Sequence, residues 1–273
     1  MQLSSANLSF DISLIQIEEL KPHEEIIPDA VHALTEEIRL QNEVRDPLIV
    51  DRHSLVILDG MHRHSSLKEL GCHFAPCCLL DYDDPQIKVG SWYRVMTSND
   101  PEKNVESVLE ALHVDYSKKD STSPKNVVVL TGMLFFQLNQ TIDDFSKARL
   151  AVDIEKAMVQ RGYEVRYVPD TIGDDLRMIN ANVVIPLPTF TKAAVRKIAI
   201  TKRLLPHKAT RHVIPSRPMR LDIPLELLIE KASTEDINKR VDALLATRHI
   251  DRRPPGSIVD GRQYQEELLV FSH

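Results

Sequence analysis

The segment L-V-I-L-D-G-M-H-R-H-S-S-L-K-E-L-G, from Leu55 to Gly71, leaves this chain few ways to fold. An apolar run forms a strand, Asp59 ends it, Gly60 turns the chain, and a polar helix follows. Gly71 stands where a helix C-terminal cap belongs. The first-turn N–H groups of such a helix have no intrahelical partners, and together with the helix dipole they suit an anion such as phosphate. Arg63 adds a planar, permanently charged fork, and His62 adds a donor that can also be charged near neutral pH. Two basic side chains in a first turn work against the dipole, a local fault that a bound anion would correct. The alternative is a solvated helix start with Asp59 as its cap. There is no G-x-x-x-x-G-K-[ST] stretch, no H-R-D loop and no D-F-G, so P-loop and protein-kinase chemistry are excluded.

The rest of the chain frames that turn. Leu14–Ile17 alternates as a short first strand, and Pro28 opens a helix to about Gln41. Pro47–Asp51 and Leu55–Asp59 read as a hairpin joined at Arg52–Ser54. Ala75–Leu80 and Val89–Val95 read as strands, and Pro101–His113 as a helix. Tyr116 to Lys125 is polar and broken by proline, so it is the expected linker. Beyond it come a strand at Asn126–Leu130, a helix at Asp143–Gln160, strands at Tyr163–Val168 and Val183–Pro186 with a short helix between them, and a helix at Thr191–Thr201. A capping box at Ser233–Asp236 opens a helix to Arg248, and Gln263–Phe271 closes as a strand. The expected fold is α/β (α+β): an N-terminal domain over residues 1–115 with a mixed sheet, a linker at 116–125, and a second α/β domain over 126–273.

With 42% hydrophobic and 27% charged residues in 273, the composition is that of a globular chain of about two domains. A net charge of −6 argues against a nucleic-acid partner. No run approaches the ~20 apolar residues of a membrane span, and Met1–Asp11 carries no basic residue, so a cytoplasmic protein without membrane contact is expected. Cys72, Cys77 and Cys78 are too clustered for a disulfide framework. With His73 they could be read as a metal site, but adjacent cysteines on a strand point to opposite faces, so reduced, buried thiols are expected. His64 and His73 are read as surface or packing residues.

Val56–Arg63 followed by Ser66–Gly71 resembles the nucleotide-binding core of the ParB/sulfiredoxin superfamily, and within it the free serine kinase family. Leu20-Lys21-Pro22-His23-Glu24 is similar to that family's N-terminal catalytic segment. Pro206-His207-Lys208-Ala209-Thr210-Arg211-His212 is similar to its K-x-T-x-R/H substrate loop. Arg252–Pro255 and Gly261–Tyr264 resemble its C-terminal signature. Many relatives carry histidine where Met61 stands. Sulfiredoxins carry their reactive cysteine there, and the glutamate-arginine-arginine motif of ParB proteins is absent.

The resemblance implies a kinase making O-phospho-L-serine from free L-serine with Mg²⁺ and ADP or ATP. The alternative function is a ParB-like, nucleotide-dependent DNA-binding protein or nuclease. On the kinase reading, Glu24 takes the serine hydroxyl proton; read from residue type alone it is a solvated acid beside Glu25. Asp59 would hold Mg²⁺ directly or through water. Gly60, Met61, His62 and Arg63 would hold the phosphoryl group. Trp92 would line the serine pocket, where the bland reading is a core residue. Lys208, Thr210, Arg211 and His212 would bind carboxylate or phosphate, where the bland reading is a basic surface loop.

Overall fold

Leu8, Phe10, Ile12 and Leu14 are all buried and alternate with polar residues along the strand Leu8–Gln16. This is the two-residue period of a half-buried strand, begun earlier than the Leu14–Ile17 run expected for it. The strand pairs antiparallel with Gln2–Ser5 and with Phe74–Leu80. Phe74–Leu80 runs parallel to Leu48–Asp51, which pairs antiparallel with Ile57–Asp59. The sheet is therefore mixed and five-stranded, as expected for the N-terminal part. Leu48–Asp51 is buried throughout and Phe74–Leu80 nearly so, which accounts for their continuous apolar runs.

A computed structural model describes residues 1–5, 8–98, 101–119, 127–131, 134–139, 142–170 and 181–272. The chain divides into two compact units. The first comprises Met1–Lys88, Lys192–His207 and His212–His273; the second comprises Val89–Thr191 and Lys208–Arg211.

In the first unit the helices Pro28–Gln41 and Met61–Glu69 pack together, tied by Thr35 Oγ1 donating to Glu69 Oε2 at 3.0 Å and Ser66 Oγ to the Val31 carbonyl at 3.1 Å. Helix Thr234–Ala246 is capped by Ser233, whose Oγ accepts the Asp236 N–H at 3.1 Å. Asn238 on that helix exchanges two hydrogen bonds with the Leu14 backbone and so docks it on the main sheet. A three-stranded sheet carries Ser216–Met219 parallel to Glu267–Ser272, and His249–Arg253 antiparallel to it. The three cysteines are buried free thiols. Burial pushes Cys72 and Cys78 up to about 12 and raises Cys77 as well, so all are unreactive at neutral pH. His64 is buried with Nε2 3.2 Å from the Ile17 carbonyl, a packing histidine.

The second unit is built on a six-stranded antiparallel sheet in the order Glu164–Pro169, Trp92–Thr97, Val183–Ile185, Val127–Thr131, Leu134–Leu138, Tyr116–Lys119. Helices Pro101–Ala111 and Asp144–Val159 pack against each other. Arg94 is buried on its strand, where its Nε donates to Glu155 Oε2 at 2.6 Å, and Tyr167 Oη donates to the other oxygen at 2.7 Å.

This division differs from the expected one. Tyr116–Lys119, placed in a linker, is an edge strand whose Tyr116 ring meets Phe136 edge-on at 5.5 Å and whose Lys118 lies over the same ring. An edge strand needs only one apolar face and favours lysine on the other, so its sequence imitates a loop. The chain after Thr191 also returns to the first unit instead of forming a separate C-terminal domain. The short helix expected between residues 168 and 183, and positions 120–125 of the expected linker, lie outside the described residues. Among the described residues no helix is long and apolar enough to cross a membrane.

Candidate functional site

Asp59 closes its strand, and Gly60 takes φ +101° and ψ 26°, a conformation that L side chains rarely adopt. A Cβ there would lie 3.2 Å from both Leu48 Cγ and Arg63 Nη2, so torsion favours glycine and the space is tight as well. Gly60 is the N-cap residue of helix Met61–Glu69, which has no side-chain cap and no acidic residue in its first turn. Asp59 therefore does not cap the helix, and the reading of a self-capped, solvated start is overturned. Met61 is buried, so what it offers the turn is its backbone. The Ile27 N–H donates to His62 Nε2 at 3.1 Å. That nitrogen accepts, which places the proton of the neutral ring on Nδ1.

Arg63 is used differently from what its residue type suggests. Its Nη1 donates to the Pro47 carbonyl at 2.7 Å and its Nη2 to Asp59 Oδ2 at 3.1 Å, so the guanidinium braces the turn. Asp59 Oδ2 also accepts from Arg217 Nη1 at 2.6 Å, and Arg217 Nε donates to Glu266 Oε1 at 3.0 Å. Asp59 is partly desolvated although its side chain is 44% exposed; this opposes ionisation, but Arg217 and then Arg63 outweigh it and hold the carboxyl well below the usual range. Arg217 and Glu266 are absent from the sequence-derived site, because nothing in S-R-P-M or Q-E-E marks them.

Glu24 is not the solvated acid that its neighbours suggest. Its side chain is 12% exposed, and its backbone forms a parallel bridge with Leu205. The Leu205 N–H donates to the His23 carbonyl at 2.9 Å, and the Glu25 N–H to the Leu205 carbonyl at 2.8 Å. His23 is 1% exposed, with Nδ1 2.7 Å from the Ile57 carbonyl and Nε2 3.8 Å from Glu24 Oε1. A carbonyl only accepts, so Nδ1 bears the proton. His212 meets His23 edge-on at 5.3 Å and holds Tyr82 Oη 2.7 Å from its Nε2. Its pKa is lowered by burial and then by His23.

Burial lowers the His23 pKa to about 4, against a smaller upward pull from the Ile57 hydrogen bond. An unfolded histidine protonates near 6.5, so between pH 6.5 and 4 the unfolded chain binds the extra proton. Stability from this group is fully present above about 6.5 and is lost as pH falls through 4, on the order of 3 kcal/mol in all. Urea unfolding at pH 7.5 and 4.5 is expected to show that loss. His23→Asn, whose amide can replace the Nδ1 donor, is expected to reduce it, with the remainder carried by His212 and His64, whose pKa values burial also lowers; an unchanged pH dependence in the variant would contradict the assignment.

In the second unit the structure brings Trp92, Lys208 and Arg211 together. Lys208 Nζ lies 4.3 Å and Arg211 Cζ 5.8 Å from the Trp92 ring centre. Asp170 Oδ2 accepts the Ser91 N–H at 2.8 Å, and its Oδ1 is 3.9 Å from Arg211 Nη1. A Cβ on Gly90 would come within 2.8 Å of both Asp170 oxygens. Thr210 is buried and Lys208 holds φ +59°, so this stretch is not a solvated basic loop. Arg211 Nη1 is buried with no hydrogen-bond partner among the described residues. Sequence reading missed Asp170. His212, the last residue of the expected loop, belongs to the first unit with the turn and Glu24.

No family model matches the chain. It is 28% identical over 234 residues to an ATP-dependent L-serine kinase of Staphylothermus marinus, covering 79% of this chain and 90% of that protein. It is 24% identical over 228 residues to the ADP-dependent L-serine kinase SerK of Thermococcus kodakarensis, covering 80% and 93%. Among solved structures, a variant of a free serine kinase in complex with ADP superposes with a TM-score of 0.68 at 21% identity, covering 80% of this chain and 94% of that one. The fold is shared with that structure, and the resemblance seen in the motifs extends over most of the chain.

Proposed function

We propose that this chain is a free L-serine kinase that moves the terminal phosphoryl group of ADP or ATP onto the serine hydroxyl. The observation that carries the reading is the pairing, within one unit, of a strand-to-helix turn ready for an anion with a largely buried carboxylate, Glu24, whose backbone is locked to Leu205. Similarity to L-serine kinases of both donor types supports it. Glu24 takes the hydroxyl proton as the serine oxygen bonds to phosphorus and the bond to the leaving nucleotide oxygen breaks. The first-turn N–H groups and His62 Nδ1–H stabilise charge on the moving phosphoryl group.

Among the described residues no three His, Cys, Asp or Glu side chains are grouped to hold a metal. One carboxylate near a phosphate site fits magnesium carried mainly on the nucleotide's own oxygens. Asp59 would contribute its Oδ1, because Oδ2 is shared by two guanidinium groups. When bound, the ion neutralises phosphate charge.

A free amino acid presents a carboxylate and an ammonium. Arg211 Nη1 and Lys208, which lies over the Trp92 ring, suit the first; Asp170 suits the second. Trp92→Ala is expected to raise the serine KM about tenfold, the weight of one cation–π contact, without changing ADP affinity. Steady-state kinetics at saturating nucleotide measures this, and an unaltered serine KM would remove Trp92 from the pocket. The reading as a whole is tested by incubating the purified chain with L-serine, Mg²⁺ and either ADP or ATP. O-phosphoserine by mass spectrometry, with AMP or ADP as co-product, is the expected result; no product with either donor would refute it.

A further inference from the structure

Ile57–Asp59, the strand that delivers the phosphate turn, is only three residues long and ends the order of its sheet. Its ladder to Leu48–Asp51 pairs Ile49 with Asp59 and Val50 with Ile57, and the register shifts between those pairs. The other edge of this strand is bonded to Lys21, whose carbonyl accepts the Ile57 N–H at 3.0 Å, but those bonds stop at Ile57, and side chains hold the turn beyond it. A line of alternating charge does so: Glu266, Arg217, Asp59 and Arg63, ending on the Pro47 carbonyl. Arg63 belongs to the turn's own helix and ties it to the nearby Pro47 carbonyl, ahead of the strand Leu48–Asp51. Arg217 comes from the strand Ser216–Met219, far along the chain, and its side chain is 13% exposed, so it is not a solvated surface cation.

Arg217 is anchored in its turn. Its strand runs parallel to Glu267–Ser272 with Ser216 opposite Glu267, and this register sets Glu266 beside it. Its Nε and Nη1 make two directed bonds to two different carboxylates, a task for a planar guanidinium that a lysine ammonium on a flexible stem performs poorly. We infer that Arg217 is a positioning residue of the phosphate turn: it fixes the Asp59 carboxylate, and through it Arg63 and the Gly60 turn, in the geometry that receives a nucleotide phosphate. The inference rests on the proposed nucleotide chemistry but not on serine as the acceptor.

The test uses the full chain, with ADP binding by calorimetry and turnover with serine measured separately. Arg217→Met is expected to weaken ADP binding at least tenfold and to lower kcat on the order of 10²-fold, the usual effect of a small misplacement in a reacting site. The serine KM should stay close to the wild-type value, whereas a general loss of structure would move both constants. Arg217→Lys should recover part of the loss, and Glu266→Gln should show a milder form of it. Adding Arg217→Met to Asp59→Ala should cost little more than Asp59→Ala alone, because both remove one contact. Wild-type ADP affinity in Arg217→Met, or additive losses in the double variant, would overturn the inference. If Arg217→Met fails to fold by circular dichroism, Glu266→Gln and Arg217→Lys decide it, and ADP affinities equal to wild type in both would overturn it. If the wild-type chain binds ADP but never phosphorylates serine, the acceptor assignment fails while the ADP arm still decides the role of Arg217.

Discussion

Glu24→Gln is expected to lower serine phosphorylation by roughly 10²–10⁴-fold while ADP still binds with near wild-type affinity. Glutamine keeps the size of the side chain and one oxygen, so the parallel bridge to Leu205 and the packing beside His23 should survive. What it loses is the capacity to take a proton. General-base catalysis is worth 10²–10⁴-fold, so turnover should drop by about that factor. The phosphate turn, built from Asp59 to Arg63 and braced by Arg217, does not depend on the Glu24 charge for its shape. Single-turnover kinetics with serine, alongside calorimetric ADP binding, separates the two functions. Loss of both together would place Glu24 in nucleotide binding, and full activity would remove it from the chemistry. Glu25 provides the internal control. It neighbours Glu24 in sequence, and Glu25→Gln should leave turnover within a fewfold of wild type.

The turn was legible because its physics is local. An apolar run, an acid, a glycine and a polar stretch closed by Gly71 fall within one short segment, and Gly60 adopts the torsion that only its residue type takes easily. Glu24 was not legible from residue type, which suggested a solvated acid; its backbone is bridged to Leu205, a contact no local pattern encodes. Arg63 makes contacts that residue type alone does not single out. The fork that suits a phosphate oxygen also suits a backbone carbonyl and a carboxylate, and here it binds Pro47 and Asp59. Arg217, Glu266 and Asp170 stayed hidden because they act through contacts made across long stretches of chain. The division into units was hidden for a related reason. The chain leaves the first unit at Val89, returns at Lys192, and lends Lys208–Arg211 to the second, a path that polarity and proline content do not record.

Gly60→Ala is expected to weaken ADP binding by ten- to a hundredfold, although it adds only one methyl group. The added carbon has to accept φ +101°, which costs an L residue roughly 1–2 kcal/mol. It also meets Leu48 Cγ and Arg63 Nη2 at 3.2 Å, and relief of that contact shifts Arg63 by a few tenths of an ångström against its bonds to Asp59 and Pro47. The turn's brace is then weakened at the point where the helix N–H groups must converge on phosphate. Gly71→Ala separates strain from site geometry. Gly71 also holds a positive φ, +72°, at the other end of the same helix, but nothing lies within 4 Å of its added carbon. Both variants should lose a similar amount of thermal stability, several degrees in Tm at most. Only Gly60→Ala should lose nucleotide affinity, as read by calorimetry with ADP in the absence of serine. Equal loss of affinity in both variants would mean that general destabilisation explains the effect, and that the close packing around Gly60 has no bearing on phosphate binding.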